Sequence, residues 1–205
     1  MNNQNHTPYR QIRAIYDEST IRVYQAYRPE IAEPALREQT FVPPFGMSRM
    51  TWIKPSFLWM MYRCGWAKKP GQERVLGIDI DRDGFNWALR NACLSHFDET
   101  IHSSQEQWKQ QVTETAVRVQ WDPERDIHFE KLDHRSIQIG LSGDAVTRYV
   151  KQWIKGIEDV TPLADELFEL MKTKQYVEVI DRLPEERPYP VTFQNLGMID
   201  TDEDN

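Results

Sequence analysis

Cysteine is scarce in this chain. Cys64 and Cys93 are the only two among 205 residues, too few for a disulfide framework. Each lies in an apolar stretch, where a small buried thiol is the expected state. Paired metal ligands are missing too. The histidines are His6, His96, His102, His128 and His134. No two stand four apart, and the cysteines lack finger spacing, so no metal is expected. His134, beside Arg135, is the one histidine kept as an acid or base. No run approaches the roughly 18 apolar residues of a membrane span, so no membrane partner is expected. The polar stretch Met1–Thr7 has no apolar segment of a secretory signal. A cytoplasmic location is the expectation. Phosphate loops, dinucleotide fingerprints and nucleophile elbows are absent as well. Ser56 follows Pro55 without an evident histidine partner, which argues against serine hydrolysis.

Aromatic and apolar side chains are plentiful. Seven Trp, eight Tyr and eight Phe, with 40% hydrophobic content, suffice for a core. The length suits one domain, drawn over residues 9–197 with flexible ends at 1–8 and 198–205. The net charge of −7 argues against a general nucleic-acid coat. That charge is unevenly spread. From Ser48 to Arg74 six cations (Arg49, Lys54, Arg63, Lys68, Lys69, Arg74) face Glu73 alone. From Glu158 to Asn205 thirteen acids face four bases, and Asp200–Asn205 reads as a disordered acidic tail.

The basic stretch is also the most apolar one. Phe57 to Tyr62 is continuous bulk, so a helix over 55–64 would be apolar on every face and buried. Pro55 suits its first turn. Thr51 or Ser56 can satisfy its free N–H groups, and Gly65 suits its left-handed end. A cationic rim beside a helix N-terminus makes a reasonable anion site. The plainer alternative is core with a solvated or paired charged rim.

Along the chain, 13–16 and 20–27 read as extended, joined by the turn Asp17-Glu18-Ser19. Ile21, Val23, Gln25 and Tyr27 share one face of the second strand; Arg22, Tyr24 and Ala26 share the other. Bulk on both faces predicts a central strand. Gln25 is either a satisfied inward amide or one that grips a ligand. A helix opens at Pro29 and runs to Glu38, and 41–46 is a loop. A strand covers 74–80. A helix capped by Asp81 or Asp83 runs over 84–94. Ser103 or Ser104 with Glu106 starts another helix reaching Val112. Residues 115–121 and 136–141 alternate as strands, and 122–126 reads as the turn after the first of them. A helix from Ser142 or Asp144 to Lys155 follows, then helices from Thr161 and over 174–183. Three prolines in 184–190 end regular structure. The class is α+β, with a mixed sheet of about four to five strands and helices packed around it.

The second dense polar stretch is Gln120-Trp121-Asp122-Pro123-Glu124-Arg125-Asp126. Arg125 can pair with Asp122 or Asp126. Alternatively Gln120, Asp122, Glu124 and Gln138 line a cleft opposite Arg49 and Lys54. Gln138 shares its face with Ser136 and Gly140, small residues that allow close approach.

Four motifs together carry a resemblance: Arg49 to Arg63 (Arg-Met-Thr-Trp-Ile-Lys-Pro-Ser-Phe-Leu-Trp-Met-Met-Tyr-Arg), Val23 to Tyr27, Gln120 to Asp126 and Arg135 to Leu141. On these the chain resembles domain-of-unknown-function family 4291 over about residues 9–197. That resemblance implies no particular activity. The order of elements is also similar to the ADP-ribosyltransferases, which hold NAD in a split sheet. That likeness implies Arg22 or Gln25 as the first-strand residue and Gln138 where those enzymes carry a glutamate. It makes NAD the cofactor to test.

The resulting expectation is an enzyme acting on a nucleotide or nucleic-acid end. Arg49, Lys54 and Arg63 supply fixed cations for phosphates, and Arg22, Arg125 and Arg135 belong to the substrate-binding set. Trp52 or Tyr24 stacks on a base. Thr51, Ser56 and Tyr62 complete the binding surface. Gln25 and Gln138 position the ligand, and Asp122 or Glu124 is the acid or base. The alternative is a non-catalytic module that binds RNA or a partner protein. The sequence leaves the oligomeric state open.

Overall fold

The computed structural model describes residues 7–191 and 193–198. Most of the amino-terminal stretch read as flexible and the whole acidic tail lie outside the described residues. Strand β1 (Arg13–Ala14) leads through a turn into β2 (Thr20–Tyr27). Asp17 shapes the turn, its Oδ1 accepting from the amides of Ser19 and Thr20 at 2.8 and 2.6 Å. Helix α1 (Pro29–Glu38) starts on a proline and ends at Gln39 in the left-handed region. The Gln39 amide then exchanges two hydrogen bonds with the backbone of Ile157.

Strand β3 (Thr51–Ile53) and helix α2 (Phe57–Cys64) follow. Ser56 is the cap of α2, its Oγ accepting from the Trp59 amide at 3.2 Å. Gly65 ends the helix at φ 59°. Pro55 therefore lies just outside the helix. Next come β4 (Arg74–Asp81), α3 (Arg82–Arg90), β5 (Ala92–Leu94), α4 (Gln105–Glu114), β6 (Val117–Arg125) and β7 (Lys131–Leu141). Helix α5 (Gly143–Arg148) passes into a π-helical turn (Tyr149–Trp153) and then β8 (Ile154–Asp159). Helices α6 (Thr161–Lys172) and α7 (Tyr176–Arg182) precede β9 (Arg187–Pro188).

The fold is α+β, as the mixed pattern predicts. Among the described residues the strands form three sheets, in the orders β1-β9, β2-β4-β8 and β3-β7-β6-β5. All pairings are antiparallel except β5 with β6. The larger two sheets touch where the Tyr24 amide donates to the Lys54 carbonyl at 2.7 Å. Beyond that point β2 and β3 diverge.

Strand β2 is an edge of its sheet, not a central strand. Its bulk on both faces has another cause, which is burial on both faces. Ile21 and Val23 join Leu76, Ile78 and Ile80 in a core shared with Val119, Ile137 and Ile139 of the other sheet. Tyr24 and Val75 face the opposite way, into a second cluster with Phe57, Met61, Val160 and Leu167. Full burial of each such side chain is worth about 1.5–3 kcal/mol.

Other boundaries depart further from the sequence reading, β7 among them, which begins at Lys131 rather than Ser136. Helix α3 stops at Arg90, and Ala92–Leu94 pairs with β6. A three-residue apolar run carries no period to separate strand from helix. The predicted helix to Lys155 breaks at Trp153, and Ile157 pairs with Ile78 as part of β8. Gly156 was the available signal. Strand β6 continues through Pro123 to Arg125 with a bulge, which tolerates the missing N–H. The hairpin turn comes after it, where Asp126 accepts from the amides of His128 and Glu130.

Gly84 in α3 is fixed by this packing. A Cβ there would meet the Trp153 ring at 2.5–2.8 Å. Gly84→Ala should lose about 1–3 kcal/mol, read by urea unfolding, with the total tryptophan fluorescence shifted in the native baseline. An unchanged midpoint would refute the tight approach.

Candidate functional site

A cleft of about 930 Å³ opens where β2 and β3 diverge. One wall is the end of β2, from Gln25 to Tyr27, with Arg28 just after it. The loop before β3 and the outer side of α2 supply Arg49, Trp59 and Arg63. The floor is the polar face of the four-stranded sheet. Cross-strand register explains that face: Gln120 pairs with Gln138, Asp122 with Ser136 and Trp52 with Gly140. Val119, Trp121, Ile137 and Ile139 alternate to the buried side.

Four cations and one carboxylate line the cleft: Arg28, Arg49, Lys54, Arg63 and Asp122. The three arginines are exposed at the mouth. Among the described residues neither Arg49 nor Arg63 has a carboxylate partner. Arg28 stands 3.8 Å from Glu30, a loose pair. Lys54 is different, being only 1% exposed. Its Nζ lies 3.1 Å from Asp122 Oδ2 and 3.5 Å from the centre of the Trp59 ring. Asp122 also accepts from Gln120 and Gln138, each at 2.8 Å. Burial pushes the Lys54 ammonium down to about 8, against the pull of Asp122 and Glu124.

The remaining predicted site residues fall into distinct places. Gln25 and Thr51 line the cleft but are bound to each other at 2.7 Å. Gln25 Nε2 also donates to the Trp52 carbonyl and Tyr27 hydroxyl, and its Oε1 accepts from Tyr149. It is the satisfied inward amide of the two readings. Trp52 is half-buried in the wall, with Gly140 beneath its ring. Tyr24 is 1% exposed and packs edge-on to Phe57, which places it behind the cleft. Arg22 lies outside too, clamped by Asp79 and Glu158.

Glu124 does not reach the cleft. It is buried and accepts from Ser56 Oγ and the Arg125 amide, both at 2.9 Å. Arg125 pairs with neither Asp122 nor Asp126; it donates to the Phe129 carbonyl and stacks 3.9 Å over Tyr62. Arg135 donates to Tyr9 and lines a smaller cleft of about 360 Å³ on the far side of Gln120 and Asp122. His134 is half-buried off the cleft, its imidazolium disfavoured by burial.

Arg28, Trp59 and Glu186 were not among the predicted residues. Arg28 follows β2 directly at the start of α1, and strand alternation would group it with Arg22 and Tyr24, which lie off the cleft, so the period gives no signal for it. Trp59 was hidden within an all-apolar helix. Glu186 accepts from the Phe57 amide at 2.6 Å, and burial with nearby Glu124 pushes its carboxyl up to about 8. It lies in a proline-rich segment whose sequence gives no clue to that contact. Among the described residues no group of His, Cys, Asp and Glu is arranged to hold a metal ion, and no helix is long and apolar enough to cross a membrane.

The lowered Lys54 value has a consequence for stability. Unfolded lysine titrates near 10.4, so between about 8 and 10.4 the unfolded chain holds the extra proton. Stability therefore rises with pH across that window. The net disfavour of the charged amine is roughly 3 kcal/mol at neutral pH. Lys54→Met should gain about 1–3 kcal/mol at pH 7, less than the full amount because Asp122 loses a partner. The gain should narrow toward pH 10 in paired urea titrations. A loss at pH 7 would show that the ion pair outweighs burial.

A family model described as Domain of unknown function (DUF4291) matches residues 11–189. No curated protein matches the chain.

Proposed function

For this chain, which belongs to that family of domains of unknown function, we propose that the cleft binds a phosphate-bearing ligand of the nucleotide class and supports group transfer on it. The observation that carries this is the imbalance of four cations and one carboxylate around a single cleft beside an aromatic wall. Arg28, Arg49 and Arg63 hold phosphate oxygens, a task suited to the planar guanidinium fork. Trp52 offers a ring edge or face to a base. Gln138 orients Asp122, and the Asp122 carboxylate accepts a proton or stabilises positive charge developing at a sugar carbon. Gln25 shapes the wall and holds the strands apart at a fixed distance.

NAD is the nucleotide this reading puts first, since an oxocarbenium-like centre would find Asp122 at the floor and phosphates at the mouth. The departures from the transferase pattern shape the expectation. Arg22 is committed elsewhere, so the arginine that serves the cleft on this side is Arg28, just past the end of β2.

The test is a thermal-shift panel with NAD, ATP, GTP and a short RNA at low and moderate salt. Ligand at about 100 times its Kd adds roughly 2.7 kcal/mol, a rise of several degrees. Arg49→Ala should weaken binding about tenfold or more, the scale of one charged hydrogen bond. Its own melting point should change little, because the side chain is exposed. A shift with RNA alone that fades with salt would favour a binding module. No shift with any ligand would refute the reading.

A further inference from the structure

Lysine placement in this chain is uneven. Nine lysines occur, all among the described residues, and eight are exposed. Lys54 alone is buried. It is also the residue at which the two large sheets touch, since its carbonyl accepts the Tyr24 amide. The backbone therefore holds its Cα in place, and its side chain reaches the cleft floor rather than solvent.

An amine at this position has few charged partners. One carboxylate oxygen stands at 3.1 Å, and that oxygen also serves Gln138. The face of Trp59 covers another side. Arginine could keep its charge here through a bidentate pair with Asp122. Lysine instead can give up its proton, and a neutral buried amine is a nucleophile. Its value near 8 is consistent with that use.

We propose that Lys54 captures the open-chain carbonyl carbon of a phosphorylated sugar as a Schiff base. The phosphate requirement rests on the reading of the arginine mouth given above; the carbonyl requirement does not. In the step, the Nζ lone pair forms a bond to the carbonyl carbon, and the C=O π pair moves to oxygen. Asp122 takes a proton from nitrogen and returns it to that oxygen, giving a neutral carbinolamine. A second proton, drawn from solvent through Asp122, turns the hydroxyl into water, which leaves as the nitrogen lone pair forms the C=N bond of a cationic iminium, with no change in oxidation state. Trp59, already facing Nζ, favours the cationic iminium. Gln120 and Gln138 hold Asp122 in orientation. The ligand class follows from two demands: phosphate for the mouth, and a free anomeric carbon for the amine. Ribose 5-phosphate meets both, and so does ADP-ribose, a nucleotide.

The experiment incubates the full chain with ribose, ribose 5-phosphate or ADP-ribose in the presence of cyanoborohydride. Adducts are counted by intact mass and placed by peptide mapping. The expected result is a single adduct on Lys54, forming at least about tenfold faster than on any exposed lysine, since each unit of lowered pKa gives tenfold more neutral amine. The phosphorylated sugars should outpace ribose, and Arg49→Ala should bring their rate down toward it. Faster trapping of ADP-ribose than of ribose 5-phosphate would identify the nucleotide as the source. Lys54→Met should give no adduct at that peptide while keeping its near-ultraviolet circular dichroism. Adducts scattered over exposed lysines with Lys54 unmodified would overturn the proposal, even if nucleotides raise the melting point. Equal trapping of ribose and ribose 5-phosphate at Lys54 would overturn the phosphorylated class.

Discussion

The cleft depends on one amide. Gln25 sits 3% exposed at the place where β2 and β3 separate. Its nitrogen donates to Thr51, Tyr27 and the Trp52 carbonyl, and its oxygen accepts from Tyr149. These contacts span β2, β3 and the π-helical turn. A buried amide left half-satisfied costs free energy, so the network is strong only as a whole. Held this way, the two sheets share one backbone contact at Lys54 and then part at a fixed spacing. The space they enclose is lined by whatever the polar face of the second sheet presents.

That face shows how a strand period becomes chemistry. Val117, Val119 and Trp121 face the core, so Gln120 and Asp122 must face away from it. The same alternation in β7 sets Gln138 opposite Gln120. Asp122 then receives two amide hydrogens and one ammonium, and α2 covers the group with Trp59. Charge is sorted by depth. The flexible-headed lysine is buried with the carboxylate, and the fixed arginines stay at the mouth in water. Such an arrangement keeps mouth attraction sensitive to salt and floor interactions largely insulated from it.

Much of this was legible in the sequence. Helix α1 begins at its proline, α2 ends at Gly65, and of the cleft offered as one alternative Gln120, Asp122 and Gln138 do lie opposite Arg49 and Lys54, while Glu124 does not reach it. The misses have physical causes. Asp-Pro read as a turn at 122–123, yet a bulge lets β6 carry the proline, and the turn moves on to Asp126. Trp153 and Ile157 stand at helical spacing by coincidence, because the chain changes from π-turn to strand between them. Arg22 and Glu124 carried the right chemistry for the site. Their partners, Asp79 with Glu158 and Ser56, come from distant parts of the chain that local pattern does not bring together.

The segment after α7 binds far upstream. Glu186 reaches the start of α2, β9 pairs with β1, Tyr189 fills a gap between Tyr16 and Phe85, and the Leu196 carbonyl takes the Trp121 indole hydrogen. These are contacts of high sequence separation, which form late and slowly. On the ribosome, residues 186–198 emerge after everything they fasten. Strand β1 and the start of α2 therefore wait for these contacts until that segment has been made. The core that Tyr189 and Leu196 complete stays open until this segment docks, and until then β1 and the start of α2 are the surfaces on which a chaperone would act.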